Sequence, residues 1–285
     1  MNQEETARAE GNAGLMVDAR WLREHRDDND LILVDTRPAK DFHAGHLKGA
    51  RHFDPFPFHH TDTSERGVVE FGAQLQWIFS ALGLSGCETV VFYENESGMR
   101  AARGQWALEY AGHPGARMLD GGLKATGERL TTKLKKFAPA DFPLSPRAEI
   151  LATYTHLLER IGRSEVQIFD VRSDEEYFGE RVRAKYGGAI PGAFHRDWTA
   201  ALAADGTVKS PAELRAQFEA IGLDPAAEIV TYCQGGYRAA HAYIALKIAG
   251  YRKVRNYLGS WAEWGNRDDL PIEHPRRKPV ATGAQ

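Results

Sequence analysis

The stretch from Glu228 to Lys247 sets a thiol, two glycines and a guanidinium between a strand-type run, Ile229 to Tyr232, and a helix-forming run, Ala239 to Ile248. That is a strand, a tight turn and a helix start with a nucleophile inside. If the N–H groups of Gln234, Gly235, Gly236, Tyr237 and Arg238 converge on the Cys233 sulfur, they form an anion nest at the positive end of the helix dipole. Such a nest favours thiolate. Gly235 and Gly236 supply torsions that a side chain would forbid. Arg238, five positions after Cys233, can fold back onto carbonyls or a bound anion. A lone cysteine before an ordinary helix would read as a half-exposed core residue, but the glycine pair and the arginine in the same turn favour chemistry.

The elements that must hold this turn begin early in the chain. Val17 to Leu22 reads as a short helix, and Leu31 to Val34 as a buried strand ending in Asp35-Thr-Arg37-Pro38. A short helix and turn through Asp41 and Ala50 lead into a loop rich in Phe, Pro and His, from Phe53 to Thr63. Helices are expected over Gln74 to Leu82 and Met99 to Ala111, each stopped by a glycine, with strands at Thr89 to Tyr93 and Ala116 to Leu119. Strands alternating with helices imply a parallel α/β sheet.

From Ala125 to Pro146 the chain turns basic and Pro-punctuated, as linkers are. After it the same order returns: a helix over Tyr154 to Ile161, then a strand over Val166 to Phe169 ending in Asp170-Val-Arg172. Asp35, Arg37, Asp41 and Phe42 match Asp170, Arg172, Glu176 and Tyr177. Arg100, Gly112 and Gly121 match Arg238, Gly250 and Gly259 at the same intervals of 12 and 21 residues. The chain is an internal duplication, divided as a loose tail (1–14), a first domain (15–125), a linker (126–149), a second domain (150–274) and a C-terminal tail (275–285). Each domain is expected to be a central parallel sheet flanked by helices.

Differences between the copies locate the chemistry. Glu94 stands where the second copy has Cys233, in a turn one residue longer, so the first copy should be catalytically silent. The second copy carries the longer connection: Asp170 to Gly188 spans 18 positions against 10 from Asp35 to Gly45. That insertion holds Arg181, Arg183 and Lys185. Three cations near a nucleophile are candidates for capturing an anionic substrate, because guanidinium forks match oxyanions. Asp170 and Arg172 read as a structural ion pair bracing the strand end.

Composition narrows the class. With 285 residues, 42% hydrophobic and 26% charged, the chain is long enough for a sizeable core, and a net charge of −3 implies no nucleic-acid partner. Two cysteines suit a reducing compartment. The first residues lack the apolar core of a signal peptide and no run of some 18 apolar residues occurs, so the expectation is a cytoplasmic protein without membrane partners.

These features together resemble the tandem-domain rhodanese family of sulfurtransferases over about residues 15 to 272. The likeness rests on Asp-x-Arg followed by Gly188-Ala-Ile-Pro-Gly-Ala193, on the Cys233-x-x-Gly236-x-Arg238 loop, on the turns Leu119-Asp-Gly-Gly122 and Leu258-Gly-Ser-Trp261, and on the inert first copy. The resemblance implies a two-domain α/β fold. It also implies transfer of sulfane sulfur from thiosulfate, or alternatively 3-mercaptopyruvate, through a persulfide on Cys233. Arg238 would then shape the loop and Arg181 or Arg183 would grip a small anionic donor. Cyanide or a thiol would be the acceptor, and no metal or organic cofactor is required. The Gln234-Gly-Gly-Tyr237 sequence differs from the family's thiosulfate and mercaptopyruvate loops alike, and Ala189 replaces a usual histidine that the first copy keeps as His46.

Two rival readings belong to other classes. A phosphatase of this fold needs Cys-x5-Arg, and four residues separate Cys233 from Arg238 here. A non-catalytic sulfur-binding module would not require an intact thiol in this turn. His43, His46, His52, His59 and His60 are close in sequence, but local turn and core roles account for them better than a metal does. Cys87 reads as an inert loop or core thiol. Trp261 and Trp264 read as core and domain-interface packing, and Phe53, Phe56 and Phe58 as packing that can wall the cleft between the copies.

Overall fold

The computed structural model describes residues 14–277, so the tails expected over 1–14 and 275–285 lie almost wholly outside the described residues. Two five-stranded sheets are present, each with all its pairings parallel. The first has the order β1-β5-β4-β2-β3, with β1 Met16–Val17, β2 Leu31–Asp35, β3 Arg51–His52, β4 Thr89–Tyr93 and β5 Ala116–Leu119. The second repeats it as β6-β10-β9-β7-β8, with β6 Leu151–Ala152, β7 Val166–Asp170, β8 Phe194–His195, β9 Glu228–Tyr232 and β10 Val254–Tyr257. Apolar runs make the central strands because both faces are covered by helices. The register sets Asp170 beside Tyr232, one residue before Cys233, just as it sets Asp35 beside Tyr93.

Several boundaries differ from the sequence expectation. Met16–Val17 pairs with β5 as an edge strand and the helix begins at Ala19, capped by the Asp18 carboxylate. Two residues are too few for a periodic signal. The helix expected from Gln74 runs Glu65–Ala81, opened by Ser64, whose hydroxyl accepts from the Gly67 N–H at 3.1 Å. Gly67 and Gly72 weaken its helix propensity, but at Gly67 a Cβ would overlap Asp62, so close packing requires the glycine there. The helix at Tyr154 stops at Leu158, whereas the one after Cys233 starts early, at Tyr237.

The basic, Pro-rich connection is strapped along the first domain. Its Ala140, Ser145 and Arg147 N–H groups donate to the carbonyls of Ser80, Ala111 and Tyr110, and Phe142 is buried 5.2 Å from the Phe79 ring. Helices Met99–Tyr110 and Tyr237–Ile248 pack on each other, so that one apolar cluster containing Phe71, Trp106, Tyr243 and Leu246 runs through both domains. Burial of that continuous surface is the main force joining the domains. Trp261 and Trp264 lie instead in the second domain's own core with Tyr232 and Tyr257. The interface role expected of them falls to Glu263 on the same helix, whose carboxylate accepts from the Thr63 N–H at 2.8 Å and hydroxyl at 2.6 Å.

Candidate active site

Cys233 follows β9 at the carboxyl ends of the strands, where open α/β sheets place their ligands. Helix Tyr237–Ile248 starts four residues later, with Gly236 as its N-cap at φ 83°. The Gly236 N–H donates to Cys233 Sγ at 3.2 Å. Of the five N–H groups expected to converge on the sulfur, this is the one that makes the bond. Cys233 is 1% exposed, so its sulfur meets the loop and the domain interface in place of bulk water.

A second turn holds the loop from behind. The Trp261 and Ala262 N–H groups donate to the carbonyls of Cys233 and Gln234, at 2.9 and 2.8 Å. The Cys233 N–H donates to Ser260 Oγ at 3.2 Å. Ser260 sits at φ 50°, the left-handed region, where the duplicated position in the first domain is Gly122 at φ 55°. Among the described residues no other non-glycine has positive φ, and the strain is tolerated because the serine hydroxyl ties down the Cys233 loop.

Asp170 and Arg172 brace the floor. Arg172 Nη2 donates to Asp170 Oδ2 at 2.6 Å and to the Gly188 carbonyl at 2.7 Å. The Tyr232 hydroxyl donates to Asp170 Oδ2 at 2.5 Å and accepts from the Ile190 N–H at 3.1 Å. Asp35, Arg37, Tyr93, Gly45 and Leu47 repeat this arrangement in the first domain. Tying one strand end to the next fixes where the following loop leaves the sheet.

Arg238 corrects one expectation. Its guanidinium does not wrap loop carbonyls but grips Glu176 at both oxygens, at 2.6 and 3.0 Å, while lying against Cys233. Burial disfavours its charged form, but the bond to Glu176 and the cysteine charge prevail, so its pKa lies above the ordinary arginine value. Burial likewise works against the Glu176 carboxylate, and Arg238 outweighs it, lowering the pKa to about 2.

The insertion divides. Arg183 Nη1 approaches Glu176 at 3.4 Å, and the Arg183 carbonyl accepts from Gln234 Nε2 at 3.2 Å, which ties the insertion to the cysteine loop. Arg181 is exposed, its side chain making no hydrogen bond or ion pair among the described residues. Lys185 does not reach the loop with its side chain; Asp268 engages its ammonium and Tyr186 lies beside it.

Sequence reasoning placed Phe56 at the cleft between the copies but missed His59 and Arg103 of the first domain. The Phe-Pro-His loop covers the cysteine loop: Phe56 stacks on Tyr237 at 4.6 Å, the Tyr237 hydroxyl donates to the Pro55 carbonyl at 2.9 Å, and His59 lies over Gly235. A Cβ at Gly235 would overlap the His59 ring, so that glycine is required by an approach from the other domain as much as by the turn. Burial of the inner side of His59, with the charge of Arg103, lowers its pKa. Arg103 itself, on helix Met99–Tyr110, is buried against the Tyr237 ring. The available signal was a lone charged residue in the run Ala101 to Trp106, with no carboxylate beside it in sequence. Of the histidines, His46 and His52 stack on Phe42, and His60 packs near Phe71. Cys87 is exposed.

The first domain's matching loop is plugged by its own side chain. Glu94 Oε1 accepts from the Arg100 and Ala101 N–H groups, at 2.7 and 3.2 Å, at the start of helix Met99–Tyr110. The nest that would receive an anion is therefore filled by a carboxylate, whose burial raises its pKa.

The profile of the Rhodanese-like domain matches the chain twice, over residues 18–128 and 153–267. A thiosulfate sulfurtransferase of Azotobacter vinelandii is 36% identical over 262 residues, covering 91% of this chain and 97% of the relative. A probable 3-mercaptopyruvate sulfurtransferase of Pseudomonas aeruginosa is 32% identical, covering 94% of this chain and 98% of the relative. Among solved structures, wild-type EanB superposes with a TM-score of 0.82 at 22% identity over 94% of this chain and 70% of that one, a likeness of fold.

Proposed function

The chain belongs to the rhodanese-like family, and from the Cys233 loop we propose that it is a thiosulfate sulfurtransferase working through a cysteine persulfide. The Cys233 thiolate attacks the outer sulfur of thiosulfate. The new S–S bond forms as the bond to the sulfonate sulfur breaks, and sulfite leaves with that electron pair. An acceptor nucleophile, cyanide or a thiol, then attacks the outer sulfur and regenerates the thiolate.

One observation carries this reading. Sγ of Cys233 accepts from the Gly236 N–H at a helix start, beside Arg238, while the matching nest of the first domain is blocked by Glu94. Arg183, tied to the loop through Gln234, is the insertion cation best placed to meet the donor's oxyanion, with Arg181 next to it in chain order. Lys185 is occupied by Asp268. Thiosulfate is the favoured donor because the Azotobacter relative carries that name, and 3-mercaptopyruvate is the second to test, after the Pseudomonas relative. No helix among the described residues is long and apolar enough to cross a membrane. A cysteine cycling between thiolate and persulfide suits a reducing compartment, and the cytoplasm is the proposed location.

Incubation with thiosulfate should add one sulfur atom to Cys233 by intact-mass measurement, with sulfite released. Cys233→Ser should abolish sulfite release from thiosulfate and pyruvate release from mercaptopyruvate, whereas Glu94→Ala should leave activity largely intact. Absence of the mass gain in the unmodified protein overturns the assignment.

A further inference from the structure

Arg103 belongs to the inactive domain yet lies under the active loop. It is 3% exposed, with its guanidinium 5.2 Å from the centre of the Tyr237 ring, 4.9 Å from that of Trp106 and 5.4 Å from that of Phe71. Nη1 lies 3.2 Å from where a Cβ would stand on Gly236, the residue whose N–H bonds the cysteine sulfur. That nitrogen is buried without a hydrogen-bond partner, and no carboxylate pairs with Arg103 among the described residues. An arginine remains charged in a protein, and an unpaired buried charge is costly to keep. Position in the fold gives that cost a reason.

The duplication sharpens the point. Met99 and Arg103 match Tyr237 and His241, each pair offset by 138 positions. The packed helices therefore direct the fifth residue of each toward the other domain's loop. His241 is buried near Ser97 of the plugged loop, and burial lowers its pKa to about 4, so it stays neutral there. The position under the working loop holds a permanent cation. Other groups around Cys233 add little free charge: Arg238 is neutralised by Glu176, which Arg183 also approaches, burial and Arg103 keep His59 toward its neutral form, and burial keeps the Tyr237 phenol protonated.

We propose that Arg103 is a positioning residue for Cys233, a fixed positive charge lent by the silent domain that holds the anionic sulfur of the active loop. The first domain is then an electrostatic part of the site as well as a cover. The inference rests on Cys233 being the nucleophile, and its test reads the charge around that sulfur without turnover.

With Cys87→Ser as background, to remove the exposed thiol, Cys233 is alkylated with iodoacetate, which is anionic, and with iodoacetamide, which is neutral. The ratio of the two rate constants reports local positive potential. Arg103→Met and Arg103→Gln should each lower it on the order of tenfold. Arg103→Lys should retain most of it, with urea unfolding confirming the fold of each variant. An unchanged ratio in either folded neutral variant overturns the proposal. So does a fall in Arg103→Lys as large as in Arg103→Met, since packing and not charge would then be at work. Loss of sulfur transfer is scored separately, so a wrong reaction and a wrong role for Arg103 give different results.

Discussion

Glu176 and Arg238 form a two-pronged ion pair, at 2.6 and 3.0 Å, between the start of the long insertion and the Cys233 loop. Glu176 also closes a capping box: the Ser173 N–H donates to Oε2 at 3.2 Å while the Ser173 hydroxyl accepts from the Glu176 N–H. One carboxylate thus joins the helix Asp174–Tyr177, the insertion and the loop that holds Cys233. The basic insertion cannot move without moving Arg238, the neighbour of Cys233.

Breaking that pair leaves a buried guanidinium alone, so Glu176→Gln should destabilise the protein by about 3 kcal/mol at pH 7. The folded pKa of Glu176 is depressed to about 2 from an ordinary 4.5. Its contribution is therefore complete above the ordinary value and is lost as pH falls through the folded value. Urea unfolding across that acid range should show the gap between wild type and Glu176→Gln narrowing between about pH 4.5 and pH 2. A gap independent of pH would mean that the carboxylate charge is not what holds Arg238.

The Ser260 hydroxyl accepts from the Cys233 N–H and donates to the Tyr257 carbonyl at 2.9 Å, and these bonds can be separated from its strained backbone. Ser260→Ala keeps φ near 50° and strands the buried Cys233 N–H, costing about 2 kcal/mol. Ser260→Gly strands the same N–H but relieves the left-handed strain, worth about 1 kcal/mol. The glycine variant should therefore be the more stable of the two by urea midpoint, while both lose sulfur transfer by roughly tenfold as the loop loosens, a barrier change of about 1.4 kcal/mol. If alanine were the more stable, the strain at Ser260 would be without energetic consequence.

Each sheet was legible where one copy could check the other. Asp35 with Arg37 and Asp170 with Arg172 are two residues apart in both domains, so the brace could be read from spacing, as could the thiol, glycine pair and arginine of the loop. Two-residue strands such as Met16–Val17 carry no period and were hidden. Contacts between domains such as Thr63 with Glu263, His59 with Gly235 and Arg103 with Tyr237 were hidden, because the partners are far apart in sequence and nothing pairs the first-domain residues with the cysteine loop before the chain is folded. Arg238 was placed in the right loop without its Glu176 partner, since that pairing is identified only once the insertion is folded back. Sequence separation, more than residue type, marks what could not be read.

The approach of His59 to Gly235 gives a test of how tightly the domains are fitted at the site. Gly235→Ala places a methyl group inside the His59 ring, and overpacking of this kind costs about 2 kcal/mol. His59 is exposed on its outer side, so His59→Ala alone should cost well under about 1 kcal/mol. In the double variant the obstacle is gone, and the methyl group should cost at least about 1 kcal/mol less than it does alone. Urea unfolding of the four proteins measures that coupling. Strict additivity would mean that Gly235 answers only to the torsions of its own turn, and that the first domain rests on the Cys233 loop without constraining it.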